Sequence, residues 1–148
     1  MHDHRGVQVH WLGEYRTRID VRGVHQILGD ETPAYGGTDS GPMPTELLLA
    51  ALGSCMCLAV AHVARKRRLA LDALTVEVDA DKDRVEFRFQ EIAVLVRANL
   101  PQEQLAPLVE QARRYCFVSN TLTTGCTIQY TAESTAAASA PASPGSDG

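Results

Sequence analysis

Apolar and polar side chains alternate along Val7-Gln8-Val9-His10-Trp11, the period of a strand with one covered face. Residues 15–21 and 24–28 continue that texture, divided by Arg22-Gly23, and predict an N-terminal antiparallel meander. Between Gly29 and Pro44 the pattern breaks. Four glycines and three prolines fall within these 16 residues, which excludes regular structure and predicts a long loop of the kind that carries function.

The texture then changes abruptly. Pro44-Thr45-Glu46 opens a helix, because proline suits a first turn and a carboxylate there meets the positive end of the helix dipole. Residues 47–64 are apolar on every face, with Leu48, Leu52, Cys55, Ala59 and His62 along one stripe. A helix apolar all round lies at the centre of a protein or crosses a membrane. Its 18 residues reach only the lower edge of spanning length. Ser54, His62 and two thiols inside it, with no second such segment, favour burial in protein. Covering it on all sides takes more than one small sheet, so a second copy is expected and the chain is read as an obligate homodimer.

Residues 74–80 and 85–98 alternate as two strands, with Asp81-Lys82-Asp83-Arg84 as their turn. A second helix is predicted from about Leu100 to Tyr115, with Leu105, Leu108 and Ala112 on one stripe. Ser119-Asn120-Thr121-Leu122 starts a short helical turn, and Gly125 releases the chain into a last strand, Cys126 to Thr131. The segment from Glu133, rich in Ala, Ser, Pro and Gly, cannot bury enough to order itself. The chain thus reads as one α+β domain over residues 1–132 and a disordered tail over 133–148.

Composition sharpens this picture. A chain of 148 residues suits one domain, and 45% hydrophobic but only 5% aromatic residues predict an aliphatic core. Fourteen basic residues against 18 acidic ones argue against a nucleic-acid partner. The one basic run, Arg65-Lys66-Arg67-Arg68, ends the apolar helix, where cations offset its carbonyl end. The polar start Met1-His2-Asp3-His4-Arg5 has no apolar segment behind it, so a cytoplasmic protein with free thiols is expected.

Four cysteines invite a zinc reading, but Cys55 and Cys57 point about 200° apart on a helix. Structural zinc knuckles lie on turns instead. Cys57 and Cys126 are read as buried small apolar side chains. Cys55 follows Gly53-Ser54, which admits the close approach of a ligand or another backbone. His62 lies two turns away, roughly 10 Å along the axis, too far to pair with it directly. Cys116 is read at the carbonyl end of its helix, where a thiolate is disfavoured and a thiol that attacks second is at home.

Pro44-Thr45-Glu46-Leu47-Leu48-Leu49-Ala50-Ala51-Leu52-Gly53-Ser54-Cys55, with Tyr115-Cys116-Phe117-Val118-Ser119-Asn120-Thr121-Leu122 about sixty residues later, resembles the OsmC/Ohr family. Gly36-Gly37-Thr38-Asp39-Ser40-Gly41-Pro42 is similar to the loop of its OsmC-like branch, and the likeness runs over about residues 7–131. The resemblance implies antiparallel sheets wrapped around two central helices in an intertwined homodimer. It also implies a thiol peroxidase. Cys55 would attack an organic hydroperoxide, Cys116 would close a disulfide with it, and a small thiol or dihydrolipoyl-type compound would reset the pair, with no metal or organic cofactor. The family's thiolate-stabilising arginine comes from the N-terminal strands, where Arg16 and Arg18 both qualify. Its carboxylate falls at Thr45 in this chain, with Glu46 one residue late. Phe117 stands where the family has proline. A second reading therefore stands beside the first, a small-molecule-binding protein of the same fold with little turnover.

Overall fold

Alternation along the N-terminal third produces three antiparallel strands, β1 (Val7–Gly13), β2 (Arg16–Val21) and β3 (His25–Gly29), in the order β1-β2-β3. The computed structural model describes residues 5–137 of the chain. Cross-strand register places Val7, Val9, Trp11, Ile19, Val21 and Ile27 on one face. Gln8, His10, Arg18, Asp20 and Gln26 share the other.

After a 3-10 turn at Pro33–Tyr35 comes the long apolar helix α1 (Pro44–Lys66), begun by proline as its sequence predicts. Two features fix its ends. The Met43 amide donates to Glu46 Oε1 at 2.9 Å, and Arg65 and Lys66 occupy the last turn. The helix is long and apolar enough to span a membrane by length and composition. Leu52, Met56, Ala59, Val60, Val63 and Ala64 bury one side of it in the protein core.

The second sheet is the hairpin β4 (Thr75–Asp83) and β5 (Arg88–Arg97). Its turn is Arg84–Phe87, three residues later than alternation suggests. A bulge between Ala80 and Lys82 lets pairing continue. The Asp83 carboxylate then organises the turn, accepting from the amides of Val85 at 2.9 Å and Glu86 at 3.1 Å. Packing of α1 onto β4 depends on Gly53, where an added Cβ would lie 3.1 Å from Val78 Cγ2. The close approach that Gly53 permits is therefore made by this strand.

Helix α2 (Gln102–Ala112) buries the predicted stripe Leu105, Leu108 and Ala112 against α1. It tightens to a 3-10 turn at Arg113–Tyr115, and α3 (Phe117–Thr124) follows at once. The core is aliphatic, as composition requires. The predicted strand Cys126–Thr131 is corrected: these residues are exposed and irregular, because no strand among the described residues pairs with them. Of the tail read as disordered, residues 133–137 are exposed and irregular, and 138–148 lie outside the described residues.

Candidate active site

Helix α1 carries Cys55 on the edge of its buried side, and the junction between α2 and α3 carries Cys116. The two side chains come within hydrogen-bonding reach of each other. Both are free thiols; Cys55 is half-buried and Cys116 fully buried. Cys116 does end the 3-10 turn that follows α2, but the reading of its electrostatics needs correction. It is the N-cap of α3, and its Sγ accepts the Ser119 amide at 3.3 Å. It therefore faces the positive end of a helix. Burial still prevails and pushes the Cys116 thiol up, opposed by the Ser119 amide. The neighbouring Cys55 sulfur raises it further, and the Val118 amide works against both.

The other sequence candidates are not gathered around this pair. Arg18 makes a forked pair with Asp20, at 3.2–3.3 Å, and His10 Nε2 lies 3.2 Å from the same carboxylate. All three side chains stand on the polar face of the first sheet. Arg16 is exposed at the start of β2, and among the described residues neither arginine bonds a thiol. Glu46 caps α1 as described. Thr45 Oγ1 is buried without a hydrogen-bond partner among the described residues. Cys126, expected to be buried, is exposed on the irregular segment, and Cys57 is half-buried. His62 packs edge-on against Tyr115, with ring centroids 5.6 Å apart.

A cavity of about 1220 Å³ lies alongside α1. Leu48, Leu52, Met56, Ile92 and Val94 form its apolar wall, and Thr45 also lines it. Neither thiol lines it, although Leu52, Met56 and Ser119, within three residues of Cys55 or Cys116 in sequence, do. Tyr35 and Glu31 enter it from the long loop.

That loop is wound about Asp30, a residue that sequence reasoning missed. Its fully buried carboxylate accepts from the Glu31 amide at 2.7 Å and from the Thr38 hydroxyl at 2.7 Å and amide at 3.2 Å. The Ser40 hydroxyl and amide complete the set, at 2.8 and 3.1 Å. The Thr38 hydroxyl, with these other donors, holds the Asp30 carboxyl far below the ordinary carboxylate range despite burial. Gly37 is required inside this knot, since a Cβ there would lie 1.9 Å from the Glu31 carbonyl oxygen.

The model of a family described as "OsmC-like protein" matches residues 37–131, which include both thiols. No curated protein matches the chain by sequence. Among solved structures, an OsmC-like protein from Mycoplasma pneumoniae has a TM-score of 0.74 at 17% identity, over 84% of this chain and 91% of the other. An organic hydroperoxide resistance protein from Legionella pneumophila has a TM-score of 0.65 at 19% identity, over 81% and 89%. The organic hydroperoxide resistance protein of Bacillus subtilis has a TM-score of 0.57 at 25% identity, over 81% and 91%.

Proposed function

The chain belongs to the OsmC-like family, and from that premise we propose that it is a cytoplasmic thiol peroxidase that reduces organic hydroperoxides through Cys55 and Cys116. The observation that supports this reading is that the Cys55 and Cys116 thiols, about sixty residues apart in sequence, interact with each other. Cys55 is the attacking sulfur, because it is the less buried of the two. Its thiolate attacks the outer peroxide oxygen. An S–O bond forms, the O–O bond breaks, and the departing alkoxide takes a proton and leaves as an alcohol. The Cys116 thiol then attacks the resulting sulfenic acid, releasing water and closing a disulfide. A thiol or dihydrolipoyl-type reductant reopens it by exchange, itself oxidised to a disulfide. The aliphatic walls of the cavity along α1 suit organic hydroperoxides better than hydrogen peroxide.

The working form is a homodimer. Arg18 or Arg16 stabilises the Cys55 thiolate across the subunit boundary, since within one chain neither bonds a thiol. Glu46 serves as the accompanying carboxylate. A second reading, a binding protein of this fold with little turnover, draws on Thr45 at the carboxylate position and on the engagement of Arg18 by Asp20.

Titration of reduced protein with cumene hydroperoxide and with hydrogen peroxide separates the two. The peroxidase loses two thiols per chain, faster with the organic peroxide. Cys55→Ser abolishes consumption, and Cys116→Ser permits one turnover that ends at a sulfenic acid. Full activity in Cys55→Ser would reject the mechanism.

A further inference from the structure

Helix α1 ends in consecutive cations, Arg65, Lys66, Arg67 and Arg68, all of them exposed. The carbonyl end of a helix is equivalent to about half a negative charge, so the run carries several times what the helix needs. Arg114 adds a further exposed cation beside it, because its neighbour Tyr115 lies under Lys66, whose Nζ is 5.5 Å from the ring centre. None of these cations makes an ion pair among the described residues, whereas Arg18, Arg88, Arg97 and Arg113 each meet a carboxylate. Asp72, the nearest acid in sequence to the run, accepts the Ala73 amide at 2.8 Å. Unmatched positive charge is thus concentrated at one place in a chain whose formal charge is −4.

Shape narrows the choice of partner. Successive helical positions point about 100° apart, so Arg65, Lys66 and Arg67 fan around the helix end rather than line one side of it. The chain then turns back: Arg68 adopts a left-handed φ of 55°, and the Leu69 amide donates to the Ala64 carbonyl at 2.9 Å. The cations therefore crown a blunt tip. An acidic peptide or a nucleic-acid strand lying along one side would meet part of the crown, whereas a broad anionic surface meets all of it end-on. Aromatic rings stand beside it. Tyr115 packs against Lys66 and His62 yet remains 48% exposed, and Phe117, two residues on, is 84% exposed. Cations next to exposed rings suit the boundary between lipid headgroups and acyl chains, where the charge meets phosphate and the ring leaves water.

We infer that the end of α1, with Arg114, Tyr115 and Phe117, is a docking surface for an anionic lipid bilayer. Contact is peripheral, because Val60, Val63 and Ala64 hold the other side of the same helix end in the core. Docking of this kind is independent of the thiol chemistry; it sets where the protein sits, not what it reduces.

Co-sedimentation of the full-length protein with vesicles measures it, comparing equal parts phosphatidylglycerol and phosphatidylcholine with phosphatidylcholine alone. Binding is expected to the anionic vesicles only, and it weakens as salt is raised. Each cation at such a surface contributes roughly fivefold, so Lys66→Gln/Arg67→Gln/Arg68→Asn should bind about a hundredfold more weakly. Asparagine at position 68 tolerates the left-handed backbone. Phe117→Ala keeps every charge and should lose about tenfold, the share of one apolar ring withdrawn from water. It reads the same surface independently if the triple variant fails to fold, and thermal unfolding like the parent's identifies the variants that do fold. Equal binding to both kinds of vesicle, binding to neither, or unchanged affinity in either folded variant would overturn the inference. So would retention of the protein by polyglutamate or duplex DNA but not by vesicles. None of these outcomes touches the thiol titration, so the two proposals fail separately.

Discussion

Asp30 and Cys116 are both buried and both accept backbone amides, yet they shift in opposite senses. Asp30 has five donors, enough to overcome desolvation and favour the anion. Cys116 has weaker amide support and a second sulfur beside it, so burial prevails and the neutral thiol is favoured. The lowered Asp30 value fixes the sign of a pH effect. Its contribution to stability is complete above the ordinary aspartate range near pH 4 and is lost as pH falls toward the depressed native value. Thermal unfolding between pH 7 and 2 should therefore show Asp30→Asn well below wild type at neutral pH, with the gap closing in acid; a gap that stays constant would sink the account. For the thiols, alkylation at pH 7.5 followed by peptide mapping should label Cys55 well before Cys116. The family was legible in sequence because its two cysteine motifs are dense and local. Asp30 was not, because its donors Thr38 and Ser40 lie eight and ten residues on in a loop without periodicity.

Elements with a strong period were read correctly, and those that depend on a neighbour were not. The stripe Leu105, Leu108 and Ala112 is the buried face of α2, since helical spacing alone decides which side chains face α1. The hairpin turn moved because a bulge after Ala80 adds a residue that alternation cannot foresee, and because Asp83 caps the turn better than Asp81 could begin it. The segment Cys126–Thr131 alternates like a strand, but a strand needs a ladder, and the described residues supply none. Packing between elements gives a direct stability test. Leu108 is fully buried between α2 and α1, and Leu108→Ala should cost about 2–5 kcal/mol. Gly53→Leu should be destabilising by about 1–3 kcal/mol through overpacking against Val78. Urea denaturation measures both. An unchanged midpoint in Gly53→Leu would show that β4 does not rest on that glycine.

At the scale of the whole molecule, three apolar or unpaired surfaces have no cover within one chain. On α1, Ala51, Ser54, Leu58 and Ala61 form a stripe opposite the cavity side, and Leu58 is 69% exposed. The apolar face of the first sheet exposes Val7, Val9 and Trp11, and α1 packs chiefly on β4, α2 and α3 rather than on that sheet. The segment after Gly125 exposes Ile128 and Tyr130 and lacks a strand partner. A monomer would leave these in water at about 25 cal/mol per Å² of apolar surface, and monomeric proteins rarely expose so much together. One arrangement relieves all three, a second copy whose α1 packs on this stripe while its strands supply the missing neighbours. The α1 stripe and the cavity wall lie on opposite sides of the helix, so such a dimer leaves the ligand space intact. The single tryptophan reports on it. Trp11 is 75% exposed in the isolated chain, so it would fluoresce at the red wavelength of a wet indole in a monomer and at a shorter wavelength once covered. Wild-type protein should sediment at twice the chain mass with blue-shifted emission. Leu58→Glu, which places a charge in the middle of the stripe, should shift both signals toward the monomer and raise the dimer dissociation constant by about a hundredfold or more, from an unpaired charge carried into the interface. A wild-type chain that sediments as a monomer at micromolar concentration with red emission would remove the second copy from the mechanism, and with it the route by which Arg16 or Arg18 reaches Cys55.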